Sequence, residues 1–341
     1  MAESLPGSTR VLGIALLAIA WAHPALHATV GHAQNPSTSS GQGFPAKTVR
    51  LVVPTPAGSS VDIAARLIAD GLRERWGHPL IIENKAGAGG TIAAAEVARA
   101  TPDGHTLFVG FNGPLATAQF LFKDLTYKPL ESFAPVIATV SLPHVLAINA
   151  GHPARTLAAF VVDVKANPGK YNYASVGNAS ASHLAMELFK AQAGLVITHV
   201  PYSGGPPATQ ALMAGDALAL FAAYVNVKSL AAAGKLTVLG LVEAVRSPGV
   251  PDLPTFAEQG VRGVDAPLFN AIVAPAGTPK EIIERLNREI RSVLDKAEVR
   301  GRLSGAGMDV IGGSPEQLAA LMRTEAQRWE PIIRQVGIRL D

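Results

Sequence analysis

The sequence contains no cysteine and few aromatic or charged residues. The absence of cysteine excludes disulfide bonds, thiolate metal ligands, cysteine nucleophiles and a lipid-bearing N-terminal cysteine. Charged residues make up only 16% of the chain, the formal net charge is +3, and no basic cluster is present. Because proteins that bind nucleic acid usually concentrate basic side chains on one face, we expect no nucleic-acid partner.

Long apolar runs are also absent, apart from one near the N-terminus. Arg10 precedes the apolar segment VLGIALLAIAWA, which is shorter than the roughly 20 residues that a membrane-spanning helix needs. A short apolar run behind a basic residue is typical of a secretory signal peptide, and Gly31 to Ala33 supply the small residues of a cleavage site. We therefore predict a signal peptide over residues 1–33, cleaved near Ala33, and a periplasmic protein. An uncleaved membrane anchor and cleavage at Ala28 are the alternatives.

The remaining chain is long enough for two domains. Residues 34–46 are polar and rich in Gly, Ser and Pro, which predicts a flexible leader before a folded part that begins near Lys47. From there, apolar segments such as TVRLVVP and HTLFVGF alternate with helical patterns such as SSVDIAARLIADGLRERWG. This alternation predicts an α/β fold with mostly parallel sheets covered by helices. Two long amphipathic helices are predicted in the last third.

Two predicted loops between a strand and a helix carry small residues and hydroxyl groups. The first lies at residues 55–60 and the second at residues 175–183. Free amides and the positive end of a helix dipole favour an anion at such a position. A turn that needs glycine and an N-cap for its geometry alone is the alternative interpretation of the first loop.

The second loop also suggests a serine hydrolase, with Ser180 or Ser182 as the nucleophile and His183 as the base. The chain lacks the G-x-S-x-G and S-x-x-K motifs of such enzymes. It also lacks H-E-x-x-H, and its nine histidines are scattered without the spacing of metal ligands. The glycine-rich segment NKAGAGGTIAAAE does not end in the Lys-Ser/Thr of a nucleotide-binding loop. We therefore expect a binding protein without a catalytic residue, metal or cofactor, and retain a secreted serine hydrolase as the alternative.

Several motifs resemble those of one family. In chain order they include ENKAGAGGTIAA, ATPDGHTL, PGKYNYASVGNASASHLAMELFK, HVPYSGGPPA and APAGTPKEIIERLN. They resemble the signatures of Bug-type extracytoplasmic receptors, the solute-binding proteins of tripartite tricarboxylate transporters, and the resemblance covers residues 47–341. It implies a type II periplasmic-binding-protein fold, in which two lobes, each with a mostly parallel sheet flanked by helices, are joined by two crossing strands.

The same resemblance implies how the chain is divided and what it binds. Residues 47–143 and 266–341 would form lobe 1, and residues 144–265 would form lobe 2. The ligand would be a small organic acid, a mono- or dicarboxylate that is aromatic in some relatives. The receptor would present this ligand to a membrane permease of the tripartite tricarboxylate type or to a sensor. We expect a monomer.

The two loops would face each other across the cleft, because ligands of open α/β sheets bind beyond the carboxyl ends of the strands. Neutral amides and hydroxyl groups would then hold the carboxylate without the cost of burying a countercharge. Tyr202 would either contribute a wall of the cleft or pack between elements. The predicted ligand-binding residues are Ala57, Gly58, Ser59, Ser60, Phe111, Asn112, Ser175, Gly177, Asn178, Ser180, Ala181, Ser182, His183, Tyr202 and Tyr224.

The sequence departs from the family's usual residues at positions that would border the ligand. FNGPL stands where the family often has Thr-Ser-Gly-Thr-His, and Ala222 and Ala223 replace a frequent Asp-Asn pair. Phe269 stands in place of a common Trp. Since these changes remove polar groups or add a bulky one, we predict a more apolar pocket that is compatible with aromatic ligands.

Overall fold

The computed structural model describes residues 43–178 and 180–340. The predicted signal peptide and most of the predicted leader therefore lie outside the described residues. Phe44, near the end of that leader, packs in the core with its ring centroid 6.0 Å from that of Trp76. None of the helices in the described part of the chain is long and apolar enough to cross a bilayer.

Strands and helices alternate along the chain as the sequence predicts. The strands are β1 Val49–Val53, β2 Leu80–Asn84, β3 Thr106–Phe111, β4 Phe133–Leu142, β5 His144–Asn149, β6 Asn172–Ser175, β7 Thr198–Pro201, β8 Ala219–Ala223, β9 Leu236–Leu241, β10 Leu268–Pro275 and β11 Asp309–Gly312. The helices are α1 Ser60–Trp76, α2 Thr91–Ala98, α3 Ala118–Leu121, α4 Leu157–Ala166, α5 Ala181–Ala193, α6 Gly205–Ala214, α7 Tyr224–Ala232, α8 Lys280–Leu294, α9 Ala297–Gly305 and α10 Pro315–Val336. The sequence patterns did not predict β11 or α9, since one is a four-residue edge strand and the other contains Gly301 and Gly305.

The strands form two mixed sheets. The sheet of lobe 1 has the order β11-β4-β10-β3-β1-β2, and the sheet of lobe 2 has the order β7-β6-β8-β5-β9. Within lobe 1, β1 pairs in parallel with β2 and β3, whereas β10 runs antiparallel to β3 and β4. Within lobe 2, β6 pairs in parallel with β7 and β8, whereas β5 runs antiparallel to β8 and β9. The prediction of a two-lobed α/β fold is confirmed.

The chain crosses between the sheets at two places. The first crossing is at Pro143, between β4 and β5, and the return runs through residues 242–267 to β10. Helices cover both sheets, because buried apolar strands such as β1 need an apolar partner on each face.

Helix α10 contributes to the cores of both lobes. In its first half, Leu318 and Met322 pack in a cluster with Phe108 of the lobe 1 sheet. In its second half, Trp329 and Ile333 belong to the core of the lobe 2 sheet. The helix begins at a capping box in which Ser314 and Gln317 satisfy each other's backbone amides.

Candidate functional site

The loop between β1 and α1 is held in a fixed shape by Ser59 and Asp62. Ser59 is the N-cap of α1, and its hydroxyl accepts from the Asp62 amide at 3.2 Å and lies 2.6 Å from the hydroxyl of Thr55. The Asp62 carboxylate in turn accepts from the Gly58 amide at 2.9 Å. Burial alone would raise the pKa of Asp62, but hydrogen bonds from Arg66, Gly58 and Asn84 together lower it. The carboxylate therefore stays ionised and keeps the loop rigid.

The loop between β6 and α5 has a similar construction in lobe 2. Ser180 is the N-cap of α5, where its hydroxyl donates to the Gly177 carbonyl at 2.6 Å and accepts from the His183 amide at 3.3 Å. Two residues further on, the Ser182 hydroxyl donates to the carbonyl of Phe221 at 2.5 Å. The first amides of a helix have no partner within that helix, so the N-termini of α1 and α5 both offer free N–H groups.

These two helix N-termini meet at one partly open cavity between the lobes. The cavity has a volume of about 60 Å³. Lysine, arginine, aspartate and glutamate are absent from its described lining, which is largely apolar and includes three phenylalanines. The lining residues are Thr55, Ser59, Ser60, Val61, Phe111, Leu142, His144, Val176, Ala181, Ser182, Gly205, Phe221, Ala222, Ala223, Asn226, Leu268, Phe269 and Asn270.

A second recess of about 140 Å³ adjoins this cavity and shares Thr55, Phe111 and Val176 with it. Its other walls include the glycine-rich turn at residues 87–90 and the segment 201–203. Both lobes therefore contribute backbone as well as side chains to the mouth of the site.

The lobes touch each other around the cavity, so the structure shows a closed form. Lys228 Nζ donates to the Gly305 carbonyl at 3.0 Å, and Ser247 Oγ donates to Asp309 Oδ2 at 3.2 Å. A Cβ atom added to Gly204 would lie 2.5 Å from Cδ of Pro56 in the opposite lobe. The close approach at this point therefore requires glycine.

The predicted site residues fall into three groups. Ser59, Ser60, Phe111, Ala181 and Ser182 line the main cavity. Gly177, Asn178 and Tyr202 line the adjoining recess, together with Phe111. The others are absent from the described lining of both spaces: Ala57, Gly58, Asn112, Ser175, Ser180, His183 and Tyr224.

Most members of the third group have structural roles. Asn112 is 1% exposed, donates to Glu325 at 2.8 Å and accepts from the Phe269 amide at 3.1 Å, which ties β3 to α10 and β10. Ser175 bonds with the backbone of Gly177 and lies 2.7 Å from His199 Nε2.

Three further members of this group lie at the surface or between the lobes. Ala57 and Gly58 are exposed. Tyr224 lies against Gly307 of the other lobe. A Cβ atom added to Gly307 would be 3.3 Å from the ring of Tyr224.

The geometry around Ser180 does not resemble that of a serine hydrolase. Its hydroxyl donates to Gly177 as part of the helix cap, and the ring of His183 stacks on that of His199 with centroids 4.0 Å apart. Burial lowers the pKa of His183 to about 4 and that of His199 to about 3. A general base works best with a pKa near the working pH, so these imidazoles are poorly matched to that role.

Several lining residues were missed by the sequence reasoning. His144 and Asn270 are the most informative, because each is a polar residue inside a buried apolar strand, in PHVLAIN and LFNAIVAP. A polar side chain in such a strand needs a partner when it is buried. That signal was present in the sequence and could have marked both positions.

The fold and the shared cavity define a class: a two-lobed α/β binding protein of the periplasmic type. Residues 64–338 match the family TctC, described as the tripartite tricarboxylate transporter family receptor, so the chain belongs to this family. Protein BugT of Bordetella pertussis is 33% identical over 302 residues, which cover 88% of this chain and 93% of BugT. The resemblance to Bug-type receptors is thereby confirmed.

Two solved structures with ligands are similar over most of the chain. R. palustris Rpa4515 with adipate is 34% identical, with a TM-score of 0.84 over 87% of this chain and 100% of that one. MatC from Rhodopseudomonas palustris with bound malate is 36% identical, with a TM-score of 0.81 over 85% of this chain and 100% of MatC. Both of these relatives bind small organic acids.

Proposed function

We propose that the protein is a periplasmic receptor that captures a small organic carboxylate between its lobes. It then presents this ligand to a membrane permease of the tripartite tricarboxylate type or to a sensor. The observation that carries the proposal is the meeting of two helix N-termini from opposite lobes at one cavity. Each terminus is equivalent to about half a positive charge and offers free amides.

The mechanism of capture follows from this arrangement. The carboxylate accepts hydrogen bonds from the first amides of α1, at Ser60 and Val61, and of α5, at Ala181 and Ser182. Because the donors come from both lobes, the ligand binds the closed form more tightly than an open form and shifts the equilibrium towards closure. The described lining contains no lysine or arginine, so these neutral donors have to balance the charge of the anion.

The relatives support the ligand class. Adipate and malate are bound by two similar proteins. The apolar lining of this cavity, with Phe111, Phe221 and Phe269, favours an acid with a larger apolar part than malate has. Delivery to a permease, export by residues 1–33 and a monomeric state are part of the same proposal.

Calorimetric titration of the purified chain with malate, succinate, adipate, butanoate and benzoate tests the proposal. We expect saturable binding of one acid per chain, and a ligand at 100 times its Kd should add about 2.7 kcal/mol to the free energy of unfolding. The dimethyl ester of the best diacid or the methyl ester of the best monoacid is the matched control, and it should not bind. Failure of every acid to bind, together with no acid in the mass spectrum of the purified protein, would contradict the proposal.

A separate assay addresses the hydrolase alternative. The stacked, neutral imidazoles and the capping role of Ser180 predict no turnover of an activated ester such as 4-nitrophenyl acetate. Turnover that disappears in Ser180→Ala but persists in Ser59→Ala would favour the enzyme.

Uptake of the labelled acid by cells that contain the permease, with and without the receptor, tests delivery.

A further inference from the structure

His144 carries a buried, unpaired ring nitrogen in the wall of the cavity. The residue begins β5, is fully buried and lines the cavity. Its Nδ1 lies 2.9 Å from the carbonyl oxygen of Ala266. A carbonyl oxygen can only accept, so the neutral imidazole carries its proton on Nδ1 and leaves a lone pair on Nε2.

The Nε2 atom of His144 has no hydrogen-bond partner within the described residues. Burial lowers the pKa of this ring to about 4, although the carbonyls of Ala266 and Phe221 favour the protonated form. The Phe221 carbonyl is close enough for that effect but forms no hydrogen bond with Nε2. The ring is therefore neutral at pH 7, and Nε2 is an acceptor without a donor in the described part of the chain.

Asn270 presents a complementary group. It lies near the start of β10, opposite Phe111 of β3, and is 2% exposed. Its Nδ2 atom has no hydrogen-bond partner within the described residues, and the residue lines the same cavity as His144. An unpaired buried amide of this kind destabilises the protein, so a ligand that supplies an acceptor is favoured.

A second carboxylate is poorly suited to this part of the cavity. It has no proton to donate to His144 Nε2, and the described lining supplies no lysine or arginine to balance its charge. The backbone amide of His144 already donates to the Glu243 carboxyl group at 3.1 Å, so it is not available to a second carboxylate.

We propose that the ligand is a monocarboxylic acid whose other polar group is an uncharged hydroxyl, and that His144 and Asn270 select it. A hydroxyl group is both a donor and an acceptor. It donates to Nε2 of His144 and accepts from Nδ2 of Asn270, while the carboxylate occupies the helix N-termini. This inference rests on the proposed function, because it requires a carboxylate in the cavity.

Matched sets of acids test the selection in calorimetric titrations of the full chain. One set is 4-hydroxybutanoate, butanoate and succinate, and the other is 6-hydroxyhexanoate, hexanoate and adipate. At the chain length that fits better, we expect the hydroxy acid to bind about tenfold or more tightly than the alkyl acid and the diacid. Tighter or equal binding of the diacid or alkyl acid would overturn the inference and leave the proposed function intact. Absence of binding by all six acids would overturn this inference, and it would overturn the proposed function as well only if malate and benzoate also fail to bind and no acid co-purifies.

Two variants assign the selection to these side chains. Asn270→Leu removes the unpaired amide with little change of volume, so it should fold and should lower the preference for hydroxy acid over alkyl acid at least about fivefold. His144→Phe should have the same effect. Thr209→Val is the control, because the Thr209 hydroxyl is also buried without a partner in the described chain but lies outside this cavity. An unchanged preference in Asn270→Leu, or an equal loss in Thr209→Val, would overturn the assignment.

Discussion

Substitution of Ala181 by proline removes one amide donor from the cavity and no side-chain polar group. Ala181 is the first residue of α5, a position that tolerates proline because its N–H has no partner within the helix. The preceding residue, Ser180, has φ −67° and ψ 156°, the extended conformation that a residue before proline requires. The variant should therefore fold with its helix intact and differ mainly in the lost donor.

The expected loss of affinity follows from the strength of one hydrogen bond to a charged group. Such a bond contributes about 1.5–3 kcal/mol. This free energy corresponds to a rise in Kd of about 10- to 150-fold at 1.4 kcal/mol per tenfold change. Calorimetric titration with the acid that binds the wild-type chain measures the change, and circular dichroism checks the fold.

Two controls separate the lost donor from other effects. Ala181→Val adds a similar volume at the cavity wall but keeps the amide, so it should weaken binding clearly less. Ala297→Pro makes the same exchange at the first residue of α9, which is exposed, absent from the cavity lining, and preceded by Lys296 with φ −62° and ψ 130°. Unchanged binding in Ala181→Pro, or equal weakening in Ala181→Val, would refute the role of the helix amides.

Three further predictions follow from the described contacts. Burial raises the pKa of Glu243 from 4.5 to about 7, so the folded state holds this proton more tightly than the unfolded state and loses stability as the pH rises through that window. In urea unfolding, the free energy of unfolding of the wild type should fall by about 3 kcal/mol between pH 5 and pH 8 relative to that of Glu243→Gln. An equal pH dependence in both proteins would contradict this. Gly204→Ala should hinder closure against Pro56 and raise Kd about tenfold or more at 1.4 kcal/mol per tenfold. Gly215→Ala, which also places a side chain at a positive φ but in open space, should bind normally, and equal Kd values for both variants would contradict the steric explanation. Trp329→Ala should lower the free energy of unfolding by about 3–5 kcal/mol in a urea titration, since this side chain is 1% exposed, and a loss below about 1 kcal/mol would show that the site repacks.

The sequence was sufficient to predict the elements that carry a strong pattern. Strands such as β1 and β3 are continuous apolar runs between turn residues, and α8 and α10 repeat apolar residues at helical spacing. The two anion-binding loops could be predicted because each has small residues and hydroxyl groups between a strand and a helix.

The parts that escaped prediction depend on contacts between distant segments. Asn112 follows β3 beside the cleft-facing residue Phe111, yet its amide turns towards Glu325, which is 213 positions away in the chain. His144 and Asn270 reach the cavity only because β5 pairs with β8 in one sheet and β10 pairs with β3 in the other. The residue types show that both side chains are polar, but they do not show which way each side chain points. That direction depends on the register of the strands.

The last helix has a consequence for how the molecule can open. Leu318 and Met322 anchor one half of α10 in lobe 1, and Trp329 and Ile333 anchor the other half in lobe 2. The helix therefore joins the two lobes beside the two crossings of the chain. The lobes can separate only by a rotation about an axis near this helix. A chain that stopped before Trp329 would leave apolar surface uncovered in lobe 2. It would also remove this restraint on the separation of the lobes. The C-terminal helix thus limits how far the lobes can separate and also stabilises the fold.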